Sequence, residues 1–543
     1  MYLICDYSKL ALMNVSSYGY NRIVNAFIIA SIIPVVYSCS ADKQNRLETN
    51  SGRFYYVSNS GNDSNDGSRA NPLKTTQKVN SLQLKPGDAV YFEGNQVYDG
   101  PLSLTLNGTE KDSVYVRSYG NGTAVINGGD SVAISLGGQY FSISNIVAAG
   151  SSRDKGNKSA GIQLIEARHA SLYKLQSHGF QKAGVGLWNS TDIILDSILA
   201  YDNGFAGIYV EGTDVTKSKN IIIRNCTARD NPGDPTNLTN HSGNGILVGL
   251  STNVLVERCV ATNNGWDMPR IGNGPVGIWG YECDSLIIQY CISYGNRTQK
   301  GAKDGGGFDF DGGVRNSIMQ YNLSYDNEGA GIGLFQYHGA TPWYNNIIRY
   351  NISINDAAKT EGSGGIFVWS NDPDSNHLTK CYVYNNVVYS THRAPVVFEP
   401  QSLNTKFYFS NNIFIGNGNL VNGPSSGEKF IGNAWWSPEE QATFRNFRTL
   451  QEWSAKTGQE KLNDRLTGIQ ANPLLDGQLT TTLVEPYQIE KLQNYKLKSN
   501  SPLKNKGINI EALYNIPKAS TDLYGNKIPS GSAVEPGVYE IPE

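Results

Sequence analysis

Short apolar–polar alternations, each opened by glycine, recur along the middle of the chain. They read GIQLIE (161–166), GVGLWN (184–189), GIYVEG (207–212), GILVGL (245–250), GIWGYE (277–282), GFDFDG (307–312), GIGLFQ (331–336) and GIFVWS (365–370). A second apolar strand and an Asn-rich turn follow, as in IIIRNCTARDN (221–231), VLVERCVATNN (254–264) and LIIQYCISYGN (286–296). The unit repeats at roughly 22–35 residues. No helix-length segment separates the strands, which argues against βαβ units. A propeller blade needs about four strands in ~40 residues, more than these units hold. The pattern predicts an all-β chain: a single-stranded right-handed parallel β-helix, in which each coil stacks on the last.

Alignment of the second strands puts Cys226, Cys259, Cys291, Asn322, Asn351, Asn386 and Asn412 in one column. Coils stacked about 4.8 Å apart turn such columns into ladders, with amides bonding to their neighbours. The cysteines then read as small buried apolar groups. Solenoid ends need caps. Residues 72–84 suit a short helix over the first coil. Ser437-Pro-Glu-Glu440 and Thr449-Leu-Gln-Glu452 read as capping boxes of two short helices within 437–457. The β-helix is expected over 53–436, and the helical insertion and a closing segment over 437–543.

Alternation along the glycine-led strand fixes which residues face out. One outward column reads Tyr209, Leu247, Trp279, Asp309, Gly333, Phe367. The next reads Trp188, Glu211, Gly249, Tyr281, Asp311, Phe335, Trp369 and, if the register holds, Glu399. Large aromatics thus flank two carboxylates. Sugar rings stack on aromatics and their hydroxyls bond to carboxylates, so this column predicts a glycan cleft. With Gly307 and Gly331 equivalent, Asp304 stacks on Glu328, and Glu361 falls in the following coil. Crowded carboxyl groups raise at least one pKa, which keeps a general acid protonated near neutrality. Glycoside hydrolysis needs such an acid and a second carboxylate. The expected catalytic set is Asp311 first, with Asp309 or Asp304 as partner and Glu328 in reserve. Trp279, Tyr281, Phe335, Trp369, His338 and Glu361 are expected to contact the sugar. A lyase would instead use a base such as Lys300, Lys303, Arg315 or His338. A glycan-binding protein without catalysis is the third reading.

Length and composition agree with this picture. The 543 residues are 39% hydrophobic, with 58 glycines and only 17% charged residues. The net charge of −3 and the lack of a basic run exclude nucleic acid as an expected partner. Seven cysteines without metal-ligand spacing give no zinc site. Residues 25–38 are apolar but short for a membrane span. Val36-Tyr37-Ser38-Cys39, after Arg22, resembles a bacterial lipobox, and Met13 could be the start. The expectation is a signal segment (1–39), a polar tether (40–52), and a monomeric, extracytoplasmic lipoprotein at the cell surface or in the periplasm. Its only membrane contact would be the lipid.

The segments FYYVSNSGNDSNDGSRANPLKTTQ (54–77) and DLYGNKIPSGSAVEPGVYE (522–540) resemble the ends of β-helix polysaccharide lyases and glycosidases of gut Bacteroidetes. The central coils, GGGFDFDGG (305–313) and NEGAGIGLF (327–335), resemble those of family-nine pectate lyases. That resemblance implies a parallel β-helix acting on carbohydrate. It also implies calcium-binding aspartates where this chain has Gly306, Gly329, Ala330 and Gly333. Asp309 and Asp311 stand beside those positions instead. No cofactor is expected, and acid/base hydrolysis of an oligo- or polysaccharide is favoured over calcium-dependent elimination.

Overall fold

A computed structural model of the chain describes residues 52–154, 157–400, 402–439 and 441–543. The signal segment, the lipobox and the tether up to residue 51 lie outside the described residues, as does Glu440. Three faces of parallel strands wind around one apolar interior, giving the right-handed parallel β-helix that the repeat predicts. On the glycine-led face, Ala183–Trp188 pairs with Ala206–Glu211, then Asn244–Gly249, Val276–Tyr281, Gly306–Phe310, Ile332–Gln336 and Ile366–Ser370 in successive coils. A second face stacks strands such as Ser251–Glu257, Asp284–Gln289 and Ile318–Gln320. A third stacks three-residue strands such as Ile292–Tyr294 and Leu323–Tyr325. Ile278, Phe308, Ile332 and Ile366 point inward in one column and are fully buried.

The polar column is a ladder. The Cys291 N–H donates to Asn322 Oδ1 (2.9 Å), and Asn322 Nδ2 donates to Asn351 Oδ1 (2.9 Å). Asn351, Asn386 and Asn412 continue the chain of bonds to Asn433, which donates to Glu460. A second ladder runs Asn203, Asn231, Asn264, Asn296, Asn327 and ends on Asp356. Each buried amide thus finds a partner in the next coil, as burial requires. The five cysteines among the described residues are free and buried.

The caps match the expectations in part. A helix spans Thr76–Asn80, with the Thr75 hydroxyl accepting from the Lys78 N–H. A second spans Leu450–Thr457, capped by Thr449. Its Trp453 ring stacks on Phe444 (5.1 Å) beside Phe430 and Trp435, closing the apolar interior. The first capping box fails. Residues 437–439 are not helical, because Ser437 Oγ accepts the N–H of Gly418 and holds the segment against the last coils. Strand pairing also continues past 436. Thr443–Phe444 pairs with Asn419–Asn422, and Ile469–Gln470 pairs with Ala434–Trp436. The closing segment lies along the third face. Ile489, Leu503, Leu523 and Val538 pack there near the tyrosine stack of Tyr290, Tyr321 and Tyr350. An Arg258–Glu490 ion pair fastens it.

Candidate active site

The outward columns of the glycine-led face form the floor of a cleft of about 730 Å³. Register places Trp279, Asp309, Gly333 and Phe367 side by side across four coils. Tyr281, Asp311, Phe335 and Trp369 follow two residues on. The Asp311 N–H bonds to Gly280, and the Glu399 N–H bonds to Val368 (3.0 Å), so the column does reach Glu399. Three loops form the walls, contributing Asn240 and His241, Asn273 and Gly274, and Thr360 to Ser363. All three loops lead into the glycine-led face, and the first two are longer than the matching connections in the coils on either side of that pair.

Three carboxyl groups meet at the centre. Asp309 is 3% exposed, and its Oδ1 has no hydrogen-bond partner. Burial, reinforced by Asp311 and Asp304, drives its pKa far above the usual carboxylate range. Asp311 is half-buried and accepts the Gly312 N–H (2.7 Å). Burial pushes it up to about 7, with Asp304 and Glu282 adding to the effect. Asp304 holds a left-handed φ of 60°, which turns its carboxylate onto the Gly274 N–H (2.7 Å). Burial raises it to about 6, against the opposing pull of that N–H and of Lys303. Two N–H donors thus anchor the outer carboxyl groups, while the middle one is left to hold its proton.

The remaining expected residues divide. Tyr281, Phe335, Trp369 and Glu361 line the cleft. Trp279 lines it too, but as a packed wall rather than an open shelf. It is 4% exposed, lies against Leu247 and Val276, and its indole N–H bonds to Asn244 Oδ1 (3.1 Å). Glu328 is not in the cleft. Its carboxylate accepts the Thr298 N–H and pairs with Lys359, which turns it away from Asp304. His338 is exposed in the turn after its strand, where its N–H is fixed by Asn371, and it does not line the cleft. Of the basic residues considered for a lyase, Lys303 alone lines the cleft; Arg315 is paired with Asp284. Six carboxyl side chains (Glu211, Asp304, Asp309, Asp311, Glu361, Glu399) face this one lysine.

Sequence reasoning missed Phe205, Asn240, His241, Tyr337 and Thr360. They sit on loops or strand ends outside the repeat, and the unusual length of 231–243 and 264–275 was the available signal. The positions implied for calcium do not fit that ion. Gly306, Gly329, Ala330 and Gly333 supply no side-chain oxygen, and a side chain at Gly329 would collide with the Asp304 backbone. Among the described residues no three or more His, Cys, Asp or Glu side chains are grouped to hold a metal.

The chain is 24% identical to a lacto-N-biosidase of Bifidobacterium longum subsp. longum over 497 residues, covering 70% of this chain and 30% of that protein. It is 26% identical to pectate lyase L of Thermoclostridium stercorarium over 369 residues, covering 64% and 25%. It therefore spans a third or less of the length of these curated relatives. Among solved structures, the GH136 lacto-N-biosidase of Eubacterium ramulus aligns with a TM-score of 0.47 at 18% identity, covering 75% of this chain and 67% of that one. Pectate lyase Pel9A aligns with a TM-score of 0.42 at 14% identity, covering 90% and 96%. Residues 55–360, more than half of the sequence, match the Pel9A-like right-handed β-helix region, and the chain belongs to that family.

Proposed function

We propose that the chain is a glycoside hydrolase acting on an uncharged glycan, with Asp311 and Asp304 as its carboxyl pair. The observation that carries this reading is the lining of the cleft: with Asp309 and Asp311 holding their protons, the carboxylates of Asp304, Glu211, Glu361 and Glu399 still stand against one lysine. A uronate polymer entering it would meet like charge, whereas neutral sugar hydroxyls would meet acceptors. The curated relatives include a hydrolase and a lyase, so membership of the family leaves the reaction open, and the local chemistry supports the hydrolase.

The roles follow from the two anchored carboxyls. Asp304, drawn toward ionisation by the Gly274 N–H and by Lys303, serves as the carboxylate. Asp311, raised to about 7, retains its proton and gives it to the leaving oxygen. Asp309, buried between them in sequence, stays protonated and offers a hydrogen bond rather than a charge. Such a pair gives a bell-shaped kcat/KM, because activity needs one group ionised and the other protonated. The maximum is expected between about pH 6 and 7, the values of the two groups.

Product analysis on plant and host glycans tests the reading. Reducing ends without the ultraviolet absorbance of an unsaturated uronide are expected. Appearance of that absorbance would replace the hydrolase with a lyase using Lys303. Binding without turnover on every glycan would leave a binding protein. Export and lipidation at Cys39 belong to the same proposal, supported by the apolar stretch 25–38 and the lipobox-like sequence before Cys39. A Cys39→Ser variant is expected to lose incorporation of labelled palmitate.

A further inference from the structure

We infer that His241 is a preset hydrogen-bond donor in the cleft, its Nε2–H aimed by Asn244 at an acceptor oxygen of an uncharged sugar. This inference rests on the glycan-cleft reading and deepens it.

The argument begins at Asn244, whose amide is fully assigned by its neighbours. An indole N–H can only donate. Trp279 Nε1 lies 3.1 Å from Asn244 Oδ1, and the Val276 N–H points to the same oxygen (3.4 Å). The Oδ1 atom is therefore the acceptor, and Nδ2 carries two protons. One goes to the carbonyl of Phe205 (3.0 Å), which can only accept. The other meets His241 Nδ1 at 3.0 Å. That nitrogen must accept, so the proton of the neutral ring sits on Nε2.

The ring is held in this state. His241 is 8% exposed, packed edge-on to Trp279 (5.0 Å) and against Phe205 (5.6 Å). Burial, helped by the positive charge of Arg270, lowers its pKa to about 4, so it stays neutral across the working range. Among the described residues Arg270 is the one charged group that acts on it, and the hydrogen bond with Asn244 opposes the effect. His241 lines the cleft, and among the described residues its ring bonds through Nδ1 to Asn244, with no hydrogen bond at Nε2. The donor is thus available to a ligand.

Its place sets what it reads. Asn244 lies two coils before the strand of Asp309, a separation of about 10 Å along the stack. His241 therefore contacts a sugar beside the one being cleaved and selects for an acceptor there. That acceptor is a hydroxyl oxygen or an acetamido carbonyl. The hydroxyl and amide groups that also line the cleft can turn to accept, whereas His241 is held as a donor by Asn244, so the sugar must present an acceptor there.

The full chain labelled with 15N-histidine reads the tautomer directly, since there are only six histidines. A His241→Phe variant assigns the signal. The expected result is the Nε2–H form at pH 7, with no imidazolium at pH 6. An Nδ1–H ring or an imidazolium at pH 6 would overturn the inference. Lactose and N,N′-diacetylchitobiose then serve as hydroxyl and acetamido probes. One of them is expected to shift the Nε2 resonance, and the one that does identifies the acceptor. Silence with both would overturn the sugar-reading role. In turnover, His241→Phe is expected to raise KM about tenfold with kcat nearly unchanged, the size of one neutral hydrogen bond. His241→Gln, which keeps a donor, should restore part of that. Asn244→Asp leaves Nδ1 no donor and should convert the ring to an Nδ1-protonated form, making KM depend on pH. Failure of the hydrolase reading is distinguishable, because it removes turnover and leaves the tautomer and the disaccharide-induced shift intact.

Discussion

Two sets of buried carboxyl groups sit within a few coils of each other and titrate in the same range, yet they do different things. Asp356 and Glu460 end the two asparagine ladders, and burial raises each to about 7. Asp311 in the cleft is also raised to about 7 by burial. The difference lies in partners. Asp356 Oδ1 accepts both N–H groups offered by Asn327, and its Oδ2 accepts the Ser353 hydroxyl. Glu460 accepts two bonds from Asn433 and one from the Trp435 indole. Asp311, by contrast, accepts only the Gly312 N–H among the described residues, and Asp309 beside it leaves Oδ1 with no partner at the cleft floor. A raised pKa alone does not mark a functional acid. A raised pKa with unspent hydrogen-bonding capacity facing a cavity does.

The largest test of this contrast is to replace each carboxyl by its amide. Asp311→Asn is expected to lower kcat/KM by about 10³-fold or more, the contribution of a general acid. Glu460→Gln is expected to leave the rate unchanged, read as reducing sugar released by the same preparation. A ladder variant that lost activity with its melting temperature intact would erase the distinction.

Next in size is the ladder itself. Asn386→Ala removes the acceptor of two Asn351 donors and the partner of Asn412. Leaving such groups buried and unmet costs about 3 kcal/mol. Chemical denaturation should show that loss, while the folded fraction retains its turnover.

Stability against pH sharpens the same point. Unfolded, Asp356 and Glu460 ionise near the ordinary values of 3.8 and 4.5; folded, they hold their protons to about 7. Between those values the folded chain binds more protons, so stability falls as pH rises and is lost through the folded value. The melting temperature should therefore decline from about pH 5 to pH 7.5. Glu460→Gln should flatten the slope by one proton without moving the pH–rate profile. Asp304→Asn should also flatten it, but should abolish the profile.

How much of this was legible beforehand follows from what repeats. Alternation with period two fixed the inward and outward columns, including Glu399, because a one-residue slip would have exposed every inward side chain. The Cys-to-Asn column was readable for the same reason. Glu328 was misplaced because it precedes the strand, in a turn where a backbone N–H at Thr298 and Lys359 compete for its carboxylate. His338 was misplaced by the turn that follows. His241 lay outside the period, in a loop marked by its length alone, and Phe205 sits in the short turn before its strand. Trp279 was assigned to the right column, but its indole N–H had a buried amide to satisfy, which pressed the ring into the wall.

The finest test uses two glycines two residues apart, Gly331 in the turn that leads into the strand Ile332–Gln336 and Gly333 within it. Gly331 faces the interior, where a methyl group would press on Ser353 Oγ and on Asp356, the end of a ladder. Gly333 faces the cleft, where a methyl would stand 3.0 Å from Asp309 Oδ1 and 2.7 Å from the Phe335 ring. Neither glycine is among the residues with positive φ, so alanine meets no backbone penalty and only the contacts differ. Gly331→Ala overpacks a closed polar cluster and should cost about 1–3 kcal/mol, with turnover by the folded chain unchanged. Gly333→Ala meets a ring that can swing into open space, so its melting temperature should barely move. The displaced ring narrows the cleft beside the carboxyl groups, and KM should rise a few-fold. If the two variants behaved alike, the ladder end and the cleft floor would not carry separate duties, and partnering would lose its power to tell a structural carboxyl from a working one.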